Sequence, residues 1–149
     1  MARFGSFDKN AGKKMFKKNI KQGDVFLKNF EEADHPKFFI VAGVCEHNIY
    51  LCSVFLNSNI HPALFAKQNL LNLQVPLKKD MNPFLKYDSF ANCAYPIQTE
   101  TEKIADEIIK GTCKVIGSIH KDDLNNIQES LINSGLLSEE EIELYFGNQ

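Results

Sequence analysis

The fold is decided by residues 24–56, DVFLKNFEEADHPKFFIVAGVCEHNIYLCSVFL, which hold three apolar runs separated by two polar turns. The first run begins at Asp24, just after Gly23, and alternates apolar with polar side chains, which is typical of a strand with one buried face. The second run, residues 37–43, is apolar almost throughout and predicts a central strand buried on both faces. The third run, residues 48–56, has the same character. Three consecutive strands with short connections predict a meander.

The rest of the chain carries weaker strand signals and then helix signals. Residues 73–77 alternate but contain Pro76, which predicts an edge strand, and residues 89–95 predict one more strand. Residues 57–72 fit either a short helix or a long loop. The later segments predict a helix from the capping-box sequence Thr99–Glu102 to Gly111, a strand at 113–117, a helix containing Leu124, Ile127 and Leu131, and a helix after a second capping box at Ser138–Glu141. Strands first and helices late in the chain predict an α+β fold or a small β-barrel.

Length and composition indicate a single folded unit. The chain has 149 residues, of which 44% are apolar, enough for one core and too few for two domains. It has no run of 18 apolar residues and no apolar segment in residues 1–21 typical of a secretory signal, so we expect a cytoplasmic protein without a membrane partner. It also lacks the glycine-rich motifs of P-loop and dinucleotide sites and the nucleophile elbow, so we expect no cofactor.

The charges are distributed unevenly, although the net charge is only −2. Residues 1–28 carry eight basic groups against two acidic ones, whereas residues 100–149 carry four lysines against eleven acidic groups. Polyanion binding, if it occurs, therefore belongs to the N-terminal half, and the alternative is two solvated surfaces of opposite sign. We divide the chain into a basic N-terminal arm, residues 1–20, and a single domain, residues 21–149. Arg3 is the only arginine, so phosphate contacts have to come from lysine, histidine and backbone N–H groups.

Four cysteines lack the spacing of a disulfide framework or a zinc finger. No two are separated by only two residues, which favours reduced and buried thiols over cross-links. The competing interpretation is a zinc site with Cys45 and His47 on one strand face, joined by other cysteine or histidine side chains. Its spacing is unlike that of known structural zinc sites, so we expect no metal. The four cysteines are Cys45, Cys52, Cys93 and Cys113, and the residues that could join Cys45 and His47 at such a zinc site are Cys52, Cys93 or His61.

Two polar groups at strand ends are the clearest candidates for chemistry. His35, Pro36 and Lys37 lie between the first two predicted strands, and Asn57 with Ser58 follows the third. Histidine can transfer protons, lysine can hold a phosphate, and amide or hydroxyl groups can stabilise a developing oxyanion. The alternative is an ordinary surface turn and a polar strand exit. Twelve phenylalanines mainly indicate core filling, with stacking on RNA bases as a minor role for side chains such as Phe84, Tyr87 or Phe90.

Several short strings, in this order along the chain, resemble the MazF/PemK family of toxin endoribonucleases. They are KQGDVF at 21–26, HPKFFIV at 35–41, VFLNS at 54–58, DSF at 88–90, IQT at 97–99, VIGSI at 115–119 and DDLNNI at 122–127. The resemblance covers residues 21–130 and implies an SH3-like small β-barrel with helices. It also implies a homodimer that is neutralised by an antitoxin protein occupying the RNA groove.

The activity implied by the resemblance is metal-independent cleavage of single-stranded RNA, in which the ribose 2′-hydroxyl attacks its own phosphodiester. His35 stands where the family has an arginine, and Asn57 with Ser58 stands at the family threonine. The resemblance therefore makes His35, Asn57 and Ser58 the catalytic candidates, and lysines supply the positive charge that contacts RNA. The alternative is a non-catalytic RNA-binding or protein-interaction module of the same fold. The lysine candidates are Lys28, Lys37, Lys78 and Lys79.

Overall fold

The structure, a computed structural model, describes residues 2–29 and 36–147, with side chains from residue 11 onward. Within these ranges the chain forms seven strands, five α-helices and two short 3-10 helices. The strands are β1 (Asp24–Lys28), β2 (Lys37–Val44), β3 (Tyr50–Asn57), β4 (Gln74–Leu77), β5 (Ser89–Asn92), β6 (Ile97–Glu100) and β7 (Cys113–Ser118). The α-helices are α1 (Ala2–Asn19), α2 (Gln68–Leu71), α3 (Thr101–Lys110), α4 (Lys121–Asn133) and α5 (Glu139–Phe146), and the 3-10 helices are Glu46–Asn48 and Pro62–Ala66.

The strands form one antiparallel sheet in the order β4-β5-β3-β2-β1-β7, with β6 paired to β3. The predicted meander of β1, β2 and β3 and the predicted edge position of β4 are both confirmed. Strand β3 is shared, because its first half pairs with β6 and its last two residues pair with β5. The predicted α+β class is confirmed. The predicted small β-barrel is not, because the described residues form an open sheet. Closure would need pairing between β4 and β7, and β4 has only four residues, one of them Pro76.

Successive side chains of the meander point to opposite faces of the sheet and pack in two separate cores. Ile40 and Val54 face the core that is covered by α4, α5 and the β4-β5 hairpin. Phe26 and Phe39 face the opposite core, which is covered by α1 and α3. The sheet is therefore buried on both faces, which accounts for the nearly continuous apolar run in β2.

Helix α1 is the element that the sequence did not predict, since helices were expected only late in the chain. Residues 1–20, which the sequence presents as a basic arm, contain this helix, and its last turns pack against the domain. Phe16 packs edge-on against the Phe26 ring with centroids 5.8 Å apart, and Ile20 is buried in the same core. Lys13 bonds Asp106 of α3 with an Nζ to Oδ1 distance of 2.6 Å. The helix signal was weak because the last turns of α1 contain four lysines beside Met15 and Phe16, a composition that also fits a solvated basic arm.

The helix boundaries confirm some capping predictions and correct one. Ser138 and Glu141 form the predicted capping box of α5, and Gly111 ends α3 in the left-handed conformation. The capping box predicted at Thr99–Glu102 is wrong, because residues 97–100 form strand β6 and the helix starts without a side-chain cap. Pairing with the free half of β3 outweighs the local helix signal there. The ambiguous segment 57–72 contains a 3-10 helix and the single turn α2.

Among the helices of the described part of the chain, none has the length and apolar character that crossing a bilayer would require.

Candidate functional site

A cleft opens at the end of the sheet where β2 begins and β3 ends. Phe39 of β2 lies opposite Phe55 of β3, so the antiparallel register brings Lys37 opposite Asn57 at the mouth of the pair. The segment between β4 and β5 forms the other wall. The cleft has a volume of about 400 Å³. It is lined by Pro36, Lys37, Phe38, Leu56, Asn57, Ser58, Asn59, Phe84, Leu85, Lys86, Tyr87 and Ser89.

Three of the predicted site residues meet in this cleft. Lys37, Asn57 and Ser58 all line it, although they come from different strands and are about 20 residues apart in sequence. His35, the third of the catalytic candidates, lies outside the described residues. Its chain neighbour Pro36 lines the cleft. The strand-end reasoning therefore brought together the lysine and the asparagine-serine pair at one site.

Lys28 lies next to this site without lining it. Its backbone pairs with Lys37 across the β1-β2 ladder. Its Nζ atom lies 2.9 Å from Oε1 of Glu107 on α3, so its charge is largely engaged by a carboxylate. Lys28 therefore adds to the positive potential at this end of the sheet more weakly than its position alone would indicate.

Lys78 and Lys79 follow β4 and stand outside the cleft lining, while Lys86 in the same connection is part of it. The backbone of Lys79 donates to Oδ1 of Asp88 at 2.9 Å, which closes the connection into a compact loop. Lys78 and Lys79 were named as RNA-binding candidates because lysines have to supply the positive charge that the family arginine would provide. The signal for Lys86 was its place beside Tyr87, an aromatic residue already marked as a stacking candidate.

Aromatic side chains form the second wall and part of the floor. Phe38 and Phe84 contact each other edge-to-face, with ring centroids 5.5 Å apart. Tyr87 is 69% exposed at the rim, which is unusual for a ring of this size and leaves its face open for stacking. Of the three aromatic candidates, Phe84 and Tyr87 line the cleft and Phe90 lies outside its lining.

The wall that carries Lys86 and Tyr87 is held in place by Asn82. This side chain is 1% exposed, and its Nδ2 donates to the Lys78 carbonyl at 3.0 Å and to Oδ2 of Asp123 at 2.8 Å. Its Oδ1 accepts from the backbone N–H of His120 at 2.9 Å. The loop is therefore bound to the start of α4, so the second wall is positioned before any ligand arrives.

The chemical character of the cleft suits an anionic chain with flat apolar groups. Two lysines and several amide or hydroxyl groups surround it, while no carboxylate or imidazole occurs among its lining residues in 36–147. Nζ of Lys37 lies 5.8 Å from the centroid of the Phe55 ring, which packs on the face of the sheet covered by α1 and α3, so Lys37 reaches the mouth of the cleft from that face. Such a cleft can hold a phosphate between lysines and a base against an aromatic ring.

The cysteines take no part in this site. All four are free and buried, as predicted. Burial raises the pKa of Cys52 and of Cys93 to about 12 and that of Cys113 to about 11, so these thiols stay protonated at neutral pH and are poor nucleophiles. In the parts of the chain that the structure describes, no three His, Cys, Asp or Glu side chains gather closely enough to hold a metal ion.

Comparison with known proteins adds no family assignment. No protein-family model matches the chain, and no curated protein matches it. The arguments about function therefore depend on the cleft itself.

Proposed function

We propose that the cleft binds single-stranded RNA and that the protein is a toxin-like endoribonuclease that cleaves the bound strand without a metal ion. The observation that carries the proposal is the meeting of Lys37, Lys86, Asn57 and Ser58 with the open ring of Tyr87 in one cleft. Lysines attract phosphates, and an exposed aromatic ring takes a base that is free of pairing. A duplex offers no splayed bases, so the combination favours a single strand.

The chemistry proposed for this site is transesterification within the RNA. The ribose 2′-oxygen forms a bond to the adjacent phosphorus and the bond from phosphorus to the 5′-oxygen breaks, which leaves a 2′,3′-cyclic phosphate and a free 5′-hydroxyl. His35 takes the 2′-hydroxyl proton while water protonates the departing 5′-oxygen, or His35 protonates that oxygen while water takes the 2′-hydroxyl proton. Lys37 and Lys86 offset the charge that develops on the phosphoryl oxygens, and the Asn57 amide and Ser58 hydroxyl donate hydrogen bonds to them.

We relate the chain to the MazF/PemK family as part of the same proposal. The supporting points are the β1-β2-β3 meander and the presence of residues from two of the matching strings, Pro36–Phe38 and Leu56–Ser58, side by side in the lining of one cleft. A homodimer and an antitoxin that competes with RNA for the cleft belong to this proposal as well. An acidic antitoxin segment would suit the two lysines of the lining.

The second candidate is an RNA-binding module without catalytic activity. The specific observation in its favour is the composition of the described lining, which contains lysines, amides and hydroxyls but no group that exchanges protons near neutral pH. If His35 does not act, the cleft can still bind RNA. The two candidates therefore share the binding step and differ in cleavage alone.

The shared binding step predicts a large contribution from Tyr87. We expect Tyr87→Ala to weaken binding of a fluorescein-labelled oligouridine by about 5-fold to 100-fold, because stacking of one base on an aromatic ring contributes about 1–3 kcal/mol. Fluorescence anisotropy at low salt measures this loss.

Tyr95→Ala is the matched control, since Tyr95 is 59% exposed and lies outside the cleft lining. We expect this variant to bind the oligonucleotide like the wild type. Equal affinity of the Tyr87→Ala variant and the wild type would contradict base stacking in the cleft.

A further inference from the structure

A second basic surface lies at the other end of strand β2. Three lysines of α1 and the turn between β2 and β3 surround a shallow hollow of about 390 Å³. The residues are Lys14, Lys17, Lys18, His47 and Asn48, and we call this surface the basic hollow. Strand β2 has eight residues, so the hollow and the cleft are separated by about 25 Å at 3.3 Å per residue. The two surfaces are therefore separate sites.

The three lysines occupy one face of the helix. Positions 14, 17 and 18 are separated by three and four residues, the spacing that places side chains next to each other along a helix. Like charges at this spacing repel one another, and no carboxylate lines the hollow to offset them. Lys13 differs, because its Nζ bonds both Glu102 and Asp106. The helix thus directs one lysine to an internal ion pair and leaves a group of three around an open hollow.

The turn opposite the lysines is held in an unfavourable conformation. His47 and Asn48 have φ angles of 63° and 56°, in the left-handed region that side chains other than glycine rarely adopt. The conformation is maintained because Nδ2 of Asn48 donates to the carbonyls of Lys17 at 2.7 Å and Lys18 at 3.3 Å. Strained backbone of this kind is common at binding sites.

The same hydrogen bonds remove an obstacle to anion binding. The carbonyl end of a helix carries partial negative charge, which would repel a phosphate. The Asn48 amide donates to two of these carbonyls and so reduces the partial negative charge on this side of the hollow. The carboxylates near the turn are Glu46, whose Oε1 lies 3.7 Å from Nε2 of His47 on the exposed side, and Glu100 and Glu102, which line a neighbouring hollow together with Lys17 and Ile49.

We infer that the basic hollow binds the phosphate groups of a polyanionic chain, independently of what the cleft does. The shared ligand chemistry is a run of linked phosphates, as in RNA or in inorganic polyphosphate. Phe16 and Ile20 pack into the core beside Phe26, whereas Met15 and Ile49 are exposed near the hollow. An anionic lipid surface is therefore the competing occupant, and the vesicle arm of the test below distinguishes it from a phosphate chain.

The test uses the full chain and a fluorescein-labelled 20-nucleotide oligouridine, with anisotropy measured over a series of salt concentrations. The variant Lys14→Gln/Lys17→Gln/Lys18→Gln removes the three charges of the hollow. We expect it to bind about tenfold or more weakly at low salt, and the slope of log affinity against log salt to fall by about 2 for three lost contacts to a single strand. Unlabelled polyphosphate is the competitor that distinguishes the two phosphate sources.

The matched control is Lys67→Gln/Lys114→Gln/Lys121→Gln, which makes the same change in charge at exposed lysines outside both surfaces. For this variant, we expect the slope of log affinity against log salt to differ from that of the wild type by no more than about the change that one phosphate contact makes. An equal loss in both triple variants would show that only overall charge matters and would overturn the inference. An unchanged slope in the hollow variant, or binding to anionic vesicles in preference to RNA, would overturn it as well.

A second measurement on the wild type keeps the inference testable if the variant is unstable. In an NMR titration with the same oligouridine, the amides of residues 14–18 and 47–48 should shift, and no shift in either group would overturn the inference. Displacement of the RNA by polyphosphate assigns the hollow to phosphate chains in general, and failure of displacement assigns it to RNA. Binding in the cleft is measured separately by Tyr87→Ala, so the cleft proposal can fail while the hollow is confirmed.

Discussion

His35→Ala is expected to lower the rate of RNA cleavage by about 10²-fold to 10⁴-fold, the usual contribution of a positioned general acid or base. The described lining of the cleft offers lysines, amides and hydroxyls, so the proposed proton transfer depends on this histidine. The assay incubates full-length protein with mixed single-stranded RNA in EDTA and follows the formation of 2′,3′-cyclic phosphate ends. Affinity for an oligouridine should change much less than the rate, because Lys37, Lys86 and Tyr87 remain.

The control for this substitution is His61→Ala. His61 lies outside the cleft lining, and its Nδ1 accepts a hydrogen bond from the backbone N–H of Ala63 in a nearby 3-10 helix. We expect it to cleave at the wild-type rate. Equal cleavage by His35→Ala and the wild type would rule out the proposed role of His35. A wild type that binds RNA in the cleft without cleaving any would favour the non-catalytic module.

Phe26→Ala is expected to lower the free energy of unfolding by about 3–5 kcal/mol, the usual cost of emptying a large buried ring site. Phe26 is fully buried, stacks on Phe39 with centroids 5.1 Å apart and receives the edge of Phe16 from α1. The loss should therefore also weaken the attachment of α1. Urea unfolding followed by circular dichroism gives the free energy, and limited proteolysis between α1 and β1 reports the attachment.

Phe65→Ala makes the same chemical change at a site where the ring is 63% exposed. We expect its unfolding free energy to lie within about 0.5 kcal/mol of the wild type, as is usual for surface substitutions. A destabilisation by Phe26→Ala no larger than that of Phe65→Ala would mean that the core between the sheet and α1 is not packed as described.

The central sheet was predictable because its strands carry strong local patterns. The apolar runs at 24–30, 37–43 and 48–56 correspond to β1, β2 and β3, with boundaries that differ by a few residues. Strands of this kind are buried on both faces, so their composition alone separates them from loops. Whether the sheet closes was not predictable, because closure depends on pairing between distant edge strands rather than on any local pattern.

Helix α1 and strand β6 show where local patterns fail. The last turns of α1 are attached to the domain by packing of Phe16 against Phe26 and by the ion pairs of Lys13 with α3. Strand β6 follows Pro96 and overlaps a capping-box sequence, and only its pairing with β3 makes it a strand. In both cases a contact between residues far apart in sequence decides the structure, which a single sequence does not display.

The sequence predicted only part of the candidate site, because the rest depends on a contact between residues that are far apart in sequence. Residues at the ends of neighbouring antiparallel strands must lie close together, so Lys37 and Asn57 could be placed at one site from the meander alone. Lys86 and its loop come from the connection between β4 and β5, whose path depends on the anchoring of Asn82 to α4. No pattern in the sequence indicates that long-range contact, so Lys86 was not among the predicted site residues.

The most direct test of the central claim is an NMR titration of the wild-type protein with a 2′-O-methyl oligouridine, which lacks the attacking hydroxyl and stays intact. If single-stranded RNA binds in the cleft, the amides of Lys37, Asn57, Ser58, Lys86 and Tyr87 shift together as the oligonucleotide is added. A titration in which these five amides stay unmoved while the oligonucleotide binds elsewhere, or does not bind, would contradict the claim.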